Sequence, residues 1–337
     1  MSKRPVLVAP DKFKGTLTAE QVADAVAEGL GSAGIEVDRC RIADGGEGTV
    51  AVVSEATGAT VVEVPCADAL GRTATGRVAV FDDGGSALVE VADAIGLARI
   101  AEDERDAVAA SSRGAGELIA AACATGARDV FVGVGGTATT DGGAGALEAL
   151  RERKLIGVRG RLKGAPRITV LCDVRAGWEQ AAPVFAPQKG ANEHQLKKLA
   201  QRLDALADEL PQDPRGKLLT GAGGGLSGGL WAAGGADLKS GAAFVLERVG
   251  FDARMAAARA VVTGEGSLDH QTLLGKAVGE VATRARQSGV PCHAIVGRRG
   301  MTEFEARILD FESVTKAGTA RAISKAAAAL VPVLAEQ

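Results

Sequence analysis

The alternation of short apolar runs with helical patterns is the feature that most limits how this chain can fold. Residues 5–9 form a run typical of a buried strand, and a capping-box pattern at Thr18 and Gln21 predicts the helix that follows. A second apolar run, residues 35–42, precedes a predicted helix over 49–57. Strands joined through helices need crossover connections, and these favour a parallel sheet. The sequence therefore predicts an α/β fold.

A different pattern over residues 59–97 interrupts this alternation. Three runs there, 60–64, 76–81 and 87–91, are separated by Gly and Asp turns, and this spacing indicates hairpins. Alternation then resumes. Further helices are predicted over 114–125, 143–153, 193–209, 226–233, 241–249, 274–288 and 320–335, and strands over 129–134, 168–173, 261–263, 292–296 and 313–316.

The positions of these changes predict a discontinuous domain layout. A length of 337 residues is enough for two domains. We expect residues 1–65 and 290–337 to form one α/β domain from both termini. Residues 66–289 would then form an inserted α/β domain that carries most of the glycine-rich loops.

Charge and cysteine content exclude several classes of protein. The 39 Lys and Arg against 42 Asp and Glu give a net charge of −3, which argues against a nucleic-acid partner. Five Cys without a C-x-x-C pair read as reduced thiols, which are typical of the cytoplasm. No apolar run approaches the ~18–20 residues that span a bilayer. We expect a cytoplasmic, soluble protein with no membrane partner, either a monomer or a small homo-oligomer.

Glycine accounts for 46 residues, roughly double the usual ~7 %, and it gathers in loops that also carry acids. Such loops at helix starts expose backbone N–H groups, which together with the helix dipole bind anions. Acids in the same loops fit phosphate only when a cation such as Mg²⁺ lies between them. The loops occupy residues 11–15, 44–48, 135–143, 172–174, 221–229 and 263–269.

Better-known fingerprints do not explain these loops. Residues 133–138 fit G-x-G-x-x-A, but a basic stretch over 151–163 stands where a dinucleotide fold carries its ribose-binding acid. The sequence contains no P-loop motif and no G-x-S-x-G nucleophile elbow. His194, His270 and His293 are isolated and lack metal-ligand spacing. A Rossmann dehydrogenase, a P-loop enzyme and acyl transfer are therefore not supported.

Long motifs follow one another along nearly the whole chain. They are PDKFKGTL at 10–17, ADGGEGT at 43–49, GAGELI at 114–119, GVGGTATTDGG at 133–143, CDV at 172–174, PQKGA at 187–191 and TGEGSLD at 263–269. In this set the chain resembles the bacterial type-one glycerate kinases. The resemblance implies two α/β domains around a central cleft. It also implies ATP and Mg²⁺ as cofactors and the phosphorylation of glycerate at its 2-hydroxyl.

Motif position under this resemblance assigns each candidate residue a role. Phosphoryl transfer depends on positioning, charge neutralisation and an oriented nucleophile. The phosphates would be bound by Gly135, Gly136, Thr137, Thr140, Gly224, Gly225 and Ser227, and the metal by Asp173 and Glu265. The base would be Asp44, with Asp141 as second choice. Lys14 and Arg72 would bind the glycerate carboxylate, and Lys189 would stabilise the transferring group.

Structural alternatives remain for three of these residues. Asp44 and Asp141 stand beside glycine, where aspartate commonly caps a helix, and Arg72 is also compatible with a solvated turn. The chain also departs from the family after Asp173, where RAGW at 175–178 replaces an Asn-Pro-Leu turn. Two other functions therefore stay open. One is a kinase of another small hydroxy acid, and the other is a non-catalytic nucleotide-binding protein that kept the fold.

Overall fold

The computed structural model describes residues 4–13, 15–157, 160–161 and 165–336. Its strands are β1 (Val6–Val8), β2 (Val37–Arg39), β3 (Thr60–Ala67), β4 (Thr73–Phe81), β5 (Ser86–Glu90), β6 (Asp129–Gly133), β7 (Ile156–Gly157), β8 (Gly160–Arg161), β9 (Arg167–Cys172), β10 (Asp237–Ser240), β11 (Ala260–Leu268), β12 (Cys292–Arg299) and β13 (Ser313–Lys316). Its α-helices are α1 (Ala19–Gly31), α2 (Thr49–Thr57), α3 (Ala92–Ile95), α4 (Arg113–Ala124), α5 (Ala144–Glu152), α6 (Glu193–Glu209), α7 (Leu226–Gly234), α8 (Gly241–Arg248), α9 (Phe251–Ala257), α10 (His270–Leu273), α11 (Ala277–Ser288), α12 (Glu303–Leu309), α13 (Ala320–Ala329) and α14 (Val331–Glu336).

The chain divides into two compact α/β units, and the first is built from both ends of the sequence. Residues 1–43 and 245–337 form the first unit, and residues 44–244 form the second. These boundaries differ from the predicted ones at 65 and 290. Because β3 pairs with β4 and β11 pairs with β1, residues 44–65 join the second unit and residues 245–289 join the first.

The first unit contains a fully parallel five-stranded sheet in the order β13-β12-β11-β1-β2. Helices α1 and α13 pack against each other in one apolar cluster, which includes Val26, Leu30 and Ile323. A separate cluster joins the β11–β12 strands to α11 and α12 and includes Val278 and Leu309. Parallel sheets covered by helices are typical of α/β folds, so the predicted fold class is confirmed for this unit.

The second unit contains a mixed six-stranded sheet in the order β10-β9-β6-β5-β4-β3. Strands β5, β6, β9 and β10 are parallel, whereas β3, β4 and β5 form the antiparallel hairpins predicted from the sequence. The main apolar cluster buries Leu118, Ile119, Leu147 and Leu226 of the surrounding helices. No helix within the described ranges is long and apolar enough to cross a bilayer.

Strand β11 is longer than predicted, and this corrects the position of an acidic loop. The sequence suggested a strand over 261–263 that ends in a glycine-rich loop, but β11 continues to Leu268, which pairs with Arg299. A Cβ atom at Gly264 would collide with the Ile295 carbonyl of β12. Glycine is therefore needed here for close strand packing rather than for a turn.

Candidate active site

In the second unit the carboxyl ends of β5, β6 and β9 lie at one edge of the sheet, where α/β proteins place ligands. The segment after β6 contacts the segment that precedes α2. The Gly135 amide donates to the Gly45 carbonyl at 3.2 Å. A Cβ atom at Gly135 would lie 2.6 Å from the Gly46 Cα atom and 3.1 Å from Oδ2 of Asp173. Glycine at 135 thus brings together three loops that the sequence assigned to one site.

Lys189 places a buried ammonium group beneath the loop that follows β6. It is 4 % exposed, and its Nζ atom donates to the Thr139 carbonyl at 2.5 Å and to the Thr137 hydroxyl at 3.4 Å. Burial lowers the pKa of Lys189 to about 8, against the charges of Asp173 and Asp141, which raise it. A buried cation with so few partners is well suited to receive an anion.

Two threonine hydroxyls in the same loop have no hydrogen-bond partner within the described part of the chain. Thr139 and Thr140 are fully buried, and neither hydroxyl has a hydrogen-bond partner among the described residues. Buried polar groups are rarely left unpaired, and an unpaired hydroxyl points to a ligand or a water molecule. The sequence had assigned Thr140 to phosphate but had missed Thr139, although both stand in the same TATT run.

Asp141 acts as a helix cap, the structural alternative that the sequence had left open. Its Oδ2 atom accepts hydrogen bonds from the backbone N–H and hydroxyl of Ser112 at 2.8 Å, and from the Gly145 amide at 3.2 Å. Its Oδ1 atom accepts from the Gly143 amide at 3.1 Å. The carboxylate therefore ties the start of α5 to the residue before α4. The geometry explains Asp141 without a catalytic role.

Asp44 and Glu90 hold the segment that leads into α2. Asp44 Oδ1 accepts from the Gly46 amide at 3.1 Å. Both carboxylate oxygens of Glu90 accept from the Gly48 amide at 3.0 Å. Sequence analysis missed Glu90. A signal was present, because Glu90 is an acid at the end of strand β5, just as Asp44 and Asp173 are acids that follow strands. Burial raises the pKa of Glu90 to about 7.

The second glycine-rich loop supports the first one. The Gly142 amide donates to the Gly224 carbonyl at 3.1 Å, and the Gly225 amide donates to the Gly221 carbonyl at 3.2 Å. The Ser227 hydroxyl lies 2.6 Å from the Leu219 carbonyl, to which it donates. These contacts explain Gly224, Gly225 and Ser227 without a ligand, and their assignment to phosphate stays a prediction.

Arg72 lies in a turn and already has acidic partners. Its Nε atom is 2.6 Å from Oδ2 of Asp68, and its Nη1 atom is 3.1 Å from Glu104. Two carboxylates therefore compensate its charge, which is the arrangement expected of a surface turn. Lys14, the other candidate for the glycerate carboxylate, lies outside the described residues.

In the first unit Glu265 lies at the centre of a small charged cluster. It is 4 % exposed, and Thr272 donates its hydroxyl to Oε1 at 2.5 Å. Lys276 Nζ is 3.7 Å from Glu265 Oε2 and 3.6 Å from Asp269 Oδ1. Burial raises the pKa of Glu265 to about 7, although Lys276 and Thr272 oppose the shift. Lys276 is the counter-ion of this acid.

The residues present fit a magnesium ion that arrives with phosphate. Within the described ranges no three Asp, Glu, His or Cys side chains form a metal cluster. Mg²⁺ does not need one, because it commonly takes one or two carboxylates together with substrate phosphates and water. Asp173 lies beside the Gly135 backbone, and its charge raises the pKa of Lys189, so it offers such a carboxylate next to the glycine-rich loop that follows β6.

Comparison with known proteins decides the family. The sequence profile of the glycerate kinase family matches residues 6–163 and 151–336, which together span nearly the whole chain. The chain belongs to the glycerate kinase family. The resemblance inferred from the motifs is therefore confirmed, together with the phosphotransferase class.

Individual members of the glycerate kinase family agree with this result. A glycerate kinase of Bacillus subtilis (strain 168) is 36 % identical over 323 residues, covering 87 % of this chain and 84 % of the relative. A glycerate 2-kinase of Escherichia coli (strain K12) is 32 % identical with the same coverage. A crystal structure assigned to glycerate kinase 2 of Salmonella typhimurium LT2 superposes with a TM-score of 0.76 at 29 % identity and covers 99 % of both chains.

Proposed function

We propose that this glycerate kinase family member transfers the γ-phosphoryl group of ATP to the 2-hydroxyl of glycerate and releases 2-phosphoglycerate. The observation that carries the proposal is the buried ammonium of Lys189 bonded to the segment 137–139, where the buried hydroxyls of Thr139 and Thr140 have no hydrogen-bond partner among the described residues. The choice of the 2-hydroxyl is supported by the Escherichia coli relative, which is named a glycerate 2-kinase.

The phosphate side of the reaction would be served by the loop after β6. Gly136 is exposed on this loop, and the Thr137 hydroxyl faces Lys189. We assign phosphate oxygens to the backbone amide of Gly136 and to the hydroxyls of Thr137 and Thr140. The Gly135 amide already donates to the Gly45 carbonyl, so the assignment of Gly135 to phosphate stays a prediction. Lys189 would neutralise charge that develops on the transferring group. A pre-positioned cation of this kind costs no reorganisation when the charge appears.

Asp173 and Glu265 are our candidates for the metal. Bound Mg²⁺ would neutralise phosphate charge and orient the nucleotide.

Asp44 is our candidate for the group that accepts the proton of the glycerate hydroxyl. It is partly exposed, and one of its oxygens is used by the Gly46 amide, so the other remains available to a substrate. Asp141 is withdrawn from this role because its carboxylate caps α5. Lys14 is retained for the glycerate carboxylate, whereas the two acidic partners of Arg72 argue against it.

The cysteines are consistent with a cytoplasmic enzyme whose thiols have no part in the chemistry. All five are free. Burial raises the pKa of the Cys40, Cys66 and Cys123 thiols to about 11, so each is protonated at neutral pH. A protonated thiol is neither a nucleophile nor a metal ligand.

A coupled assay tests both the activity and the position of phosphorylation. The protein is incubated with Mg²⁺, ATP and D-glycerate, and enolase is the sole coupling enzyme. Because enolase consumes 2-phosphoglycerate but not 3-phosphoglycerate, we expect ADP and phosphoenolpyruvate to form together. ADP without phosphoenolpyruvate would reject the 2-hydroxyl.

A panel of other small hydroxy acids separates the remaining functions. If ADP forms faster with another acid than with glycerate, that acid is the substrate in place of glycerate. Nucleotide binding without ADP formation on any acid would favour a non-catalytic protein.

A further inference from the structure

Glu90 is a buried carboxylate whose partners are backbone amides of a neighbouring segment. It ends β5 and is 2 % exposed. Besides the two contacts of 3.0 Å from the Gly48 amide, its Oε2 atom accepts from the Val50 amide at 3.2 Å. These donors are 40 and 42 residues away in sequence, so the contact is tertiary.

Helix α2 depends on this contact because it has no cap of its own. Its N-cap residue is Gly48, which has φ +98° and no side chain to accept the first free amides of the helix. A carboxylate at a helix N-terminus also interacts favourably with the helix dipole. Glu90 therefore supplies from β5 the cap that the local sequence lacks.

The segment 44–48 is consequently fixed at two points. At its middle the Gly45 carbonyl accepts from the Gly135 amide, and at its end the Gly48 amide donates to Glu90. Asp44 begins this segment. Loss of the anchor at Gly48 would release the end of this segment that leads into α2.

We propose that Glu90 is a positioning residue that fixes Asp44 through the start of α2, so that phosphoryl transfer is efficient only while Glu90 is ionised. The proposal rests on the proposed function, in which Asp44 receives the hydroxyl proton. An ionised carboxylate accepts all three contacts. Protonation of either oxygen turns an acceptor that faces the Gly48 amide into an O–H donor, so the anchor is weakened although the other oxygen still accepts.

The charges around Glu90 place this change near neutral pH. Burial and, to a smaller degree, the charge of Asp93 of α3 raise the pKa of Glu90 to about 7. The amides of Val50 and Gly48 and the charge of Arg77 on β4 lower it. Arg77 is itself paired with Asp93, with 2.7 Å between Nη2 and Oδ1. Asp44 and Glu47 are the acids of the anchored segment itself.

The first measurement needs no variant. Amide hydrogen exchange of Gly48 and Val50 is followed by NMR in the wild-type protein from pH 5.5 to 8.5 and corrected for intrinsic exchange. We expect protection to fall roughly tenfold below pH 7, since hydrogen bonds to ionised groups are about twice as strong as neutral ones. Protection that stays constant with pH would overturn the proposal.

The second measurement compares Glu90→Gln with Glu90→Asp and with the exposed control Glu209→Gln. In Glu90→Gln we expect low, pH-independent protection, a kcat reduced roughly tenfold and KM values for ATP and glycerate within about twofold of wild type. The acid limb of its pH–kcat profile should disappear. Glu90→Asp should keep a titrating limb with partial activity, and Glu209→Gln should match wild type.

The outcomes separate this proposal from the proposed function. Unchanged exchange in Glu90→Gln, or altered exchange with an unchanged pH–kcat profile, would overturn the positioning role. A wild-type protein that turns over no hydroxy acid would overturn the proposed function instead. If Glu90→Gln does not fold, the pH series on the wild-type protein and the Glu90→Asp variant still test the positioning role of Glu90.

Discussion

Two buried glutamates, Glu90 on β5 of the second unit and Glu265 on β11 of the first, differ in their partners. Glu90 in the second unit and Glu265 in the first are 2 % and 4 % exposed. Burial raises the pKa of each to about 7. Glu90 is held by backbone amides, whereas Glu265 is held by the side chains of Thr272 and Lys276.

This difference shows that a shifted pKa alone does not identify a functional acid. Backbone amides cannot leave Glu90 without unwinding the first turn of α2, so this acid is committed to its anchor. Side chains can rotate away, so Glu265 can exchange Lys276 or Thr272 for a ligand. Perturbed pKa values gather at functional sites, and the type of partner then separates an anchor from a ligand-binding group.

We expect the largest effect from substitution of Asp173, the acid of the second unit that we assign to the metal. In Asp173→Asn we expect kcat to fall about a thousandfold, equivalent to about 4 kcal/mol, because a neutral amide is a much weaker ligand for Mg²⁺ than a carboxylate. The free energy of unfolding should change by less than about 1 kcal/mol. Steady-state kinetics and urea denaturation measure both quantities.

The exposed α6 substitution Asp204→Asn serves as the matched control and should behave as wild type. A kcat for Asp173→Asn within threefold of the control would remove Asp173 from the site.

Asp141→Asn tests whether an acid held by amides is an anchor. The new NH₂ group would face the donors at Ser112, Gly143 or Gly145, so a buried hydrogen-bond network would be broken. We expect the free energy of unfolding to fall by about 2–4 kcal/mol. Denaturation curves compared with Asp204→Asn measure this change. A stable variant without activity would instead restore Asp141 as a catalytic candidate.

Glu265→Gln tests the acid held by side chains through the pH dependence of stability. The pKa of Glu265 is raised from 4.5 to about 7, so the folded protein binds more protons than the unfolded chain between these values. Stability is therefore lost as pH rises through this window, by up to about 3 kcal/mol. Glu265→Gln should lose less free energy of unfolding than the wild-type protein between pH 5 and 8, as measured by denaturation at pH 5, 6, 7 and 8.

Glu247→Gln, an exposed substitution in the same unit, is the control for this series. If the free energy of unfolding changes with pH by the same amount in Glu265→Gln and in the control, Glu265 does not titrate in this window.

The smallest expected effect concerns Ser227. Because its hydroxyl donates to the Leu219 carbonyl, Ser227→Ala should cost about 1 kcal/mol of stability and leave KM for ATP within twofold. The exposed Ser288→Ala is a suitable reference. A tenfold rise in KM for ATP would return Ser227 to the phosphate site.

Local patterns were sufficient for the parts of the fold that local forces determine. Helices α2 and α6 begin and end at the predicted residues. The capping box at Thr18 and Gln21 is present in both directions. In each case the signal lies within a few residues, where spacing and cap chemistry act directly.

Distant partners account for what the sequence could not predict. The sequence left two interpretations of Asp141, because the hydroxyl that donates to its carboxylate belongs to Ser112, 29 residues away. Arg72 meets Glu104, 32 residues away. Gly264 looked like a loop residue because the Ile295 carbonyl that excludes a side chain there belongs to another strand. Adjacent strand ends predicted which loops meet, but not which groups are already paired.

The pairing of β1 with β11 has a consequence for how the protein is made. Val6 lies opposite Ala260, so the central strand pair of the first unit cannot form until about three quarters of the chain has left the ribosome. At ~5–20 residues per second this delay is roughly 10–50 s. The second unit is complete by residue 244, so it can fold while β1 and α1 still wait for their sheet. Biosynthesis therefore leaves the amino-terminal segment as the part of the chain with the longest need for protection from aggregation.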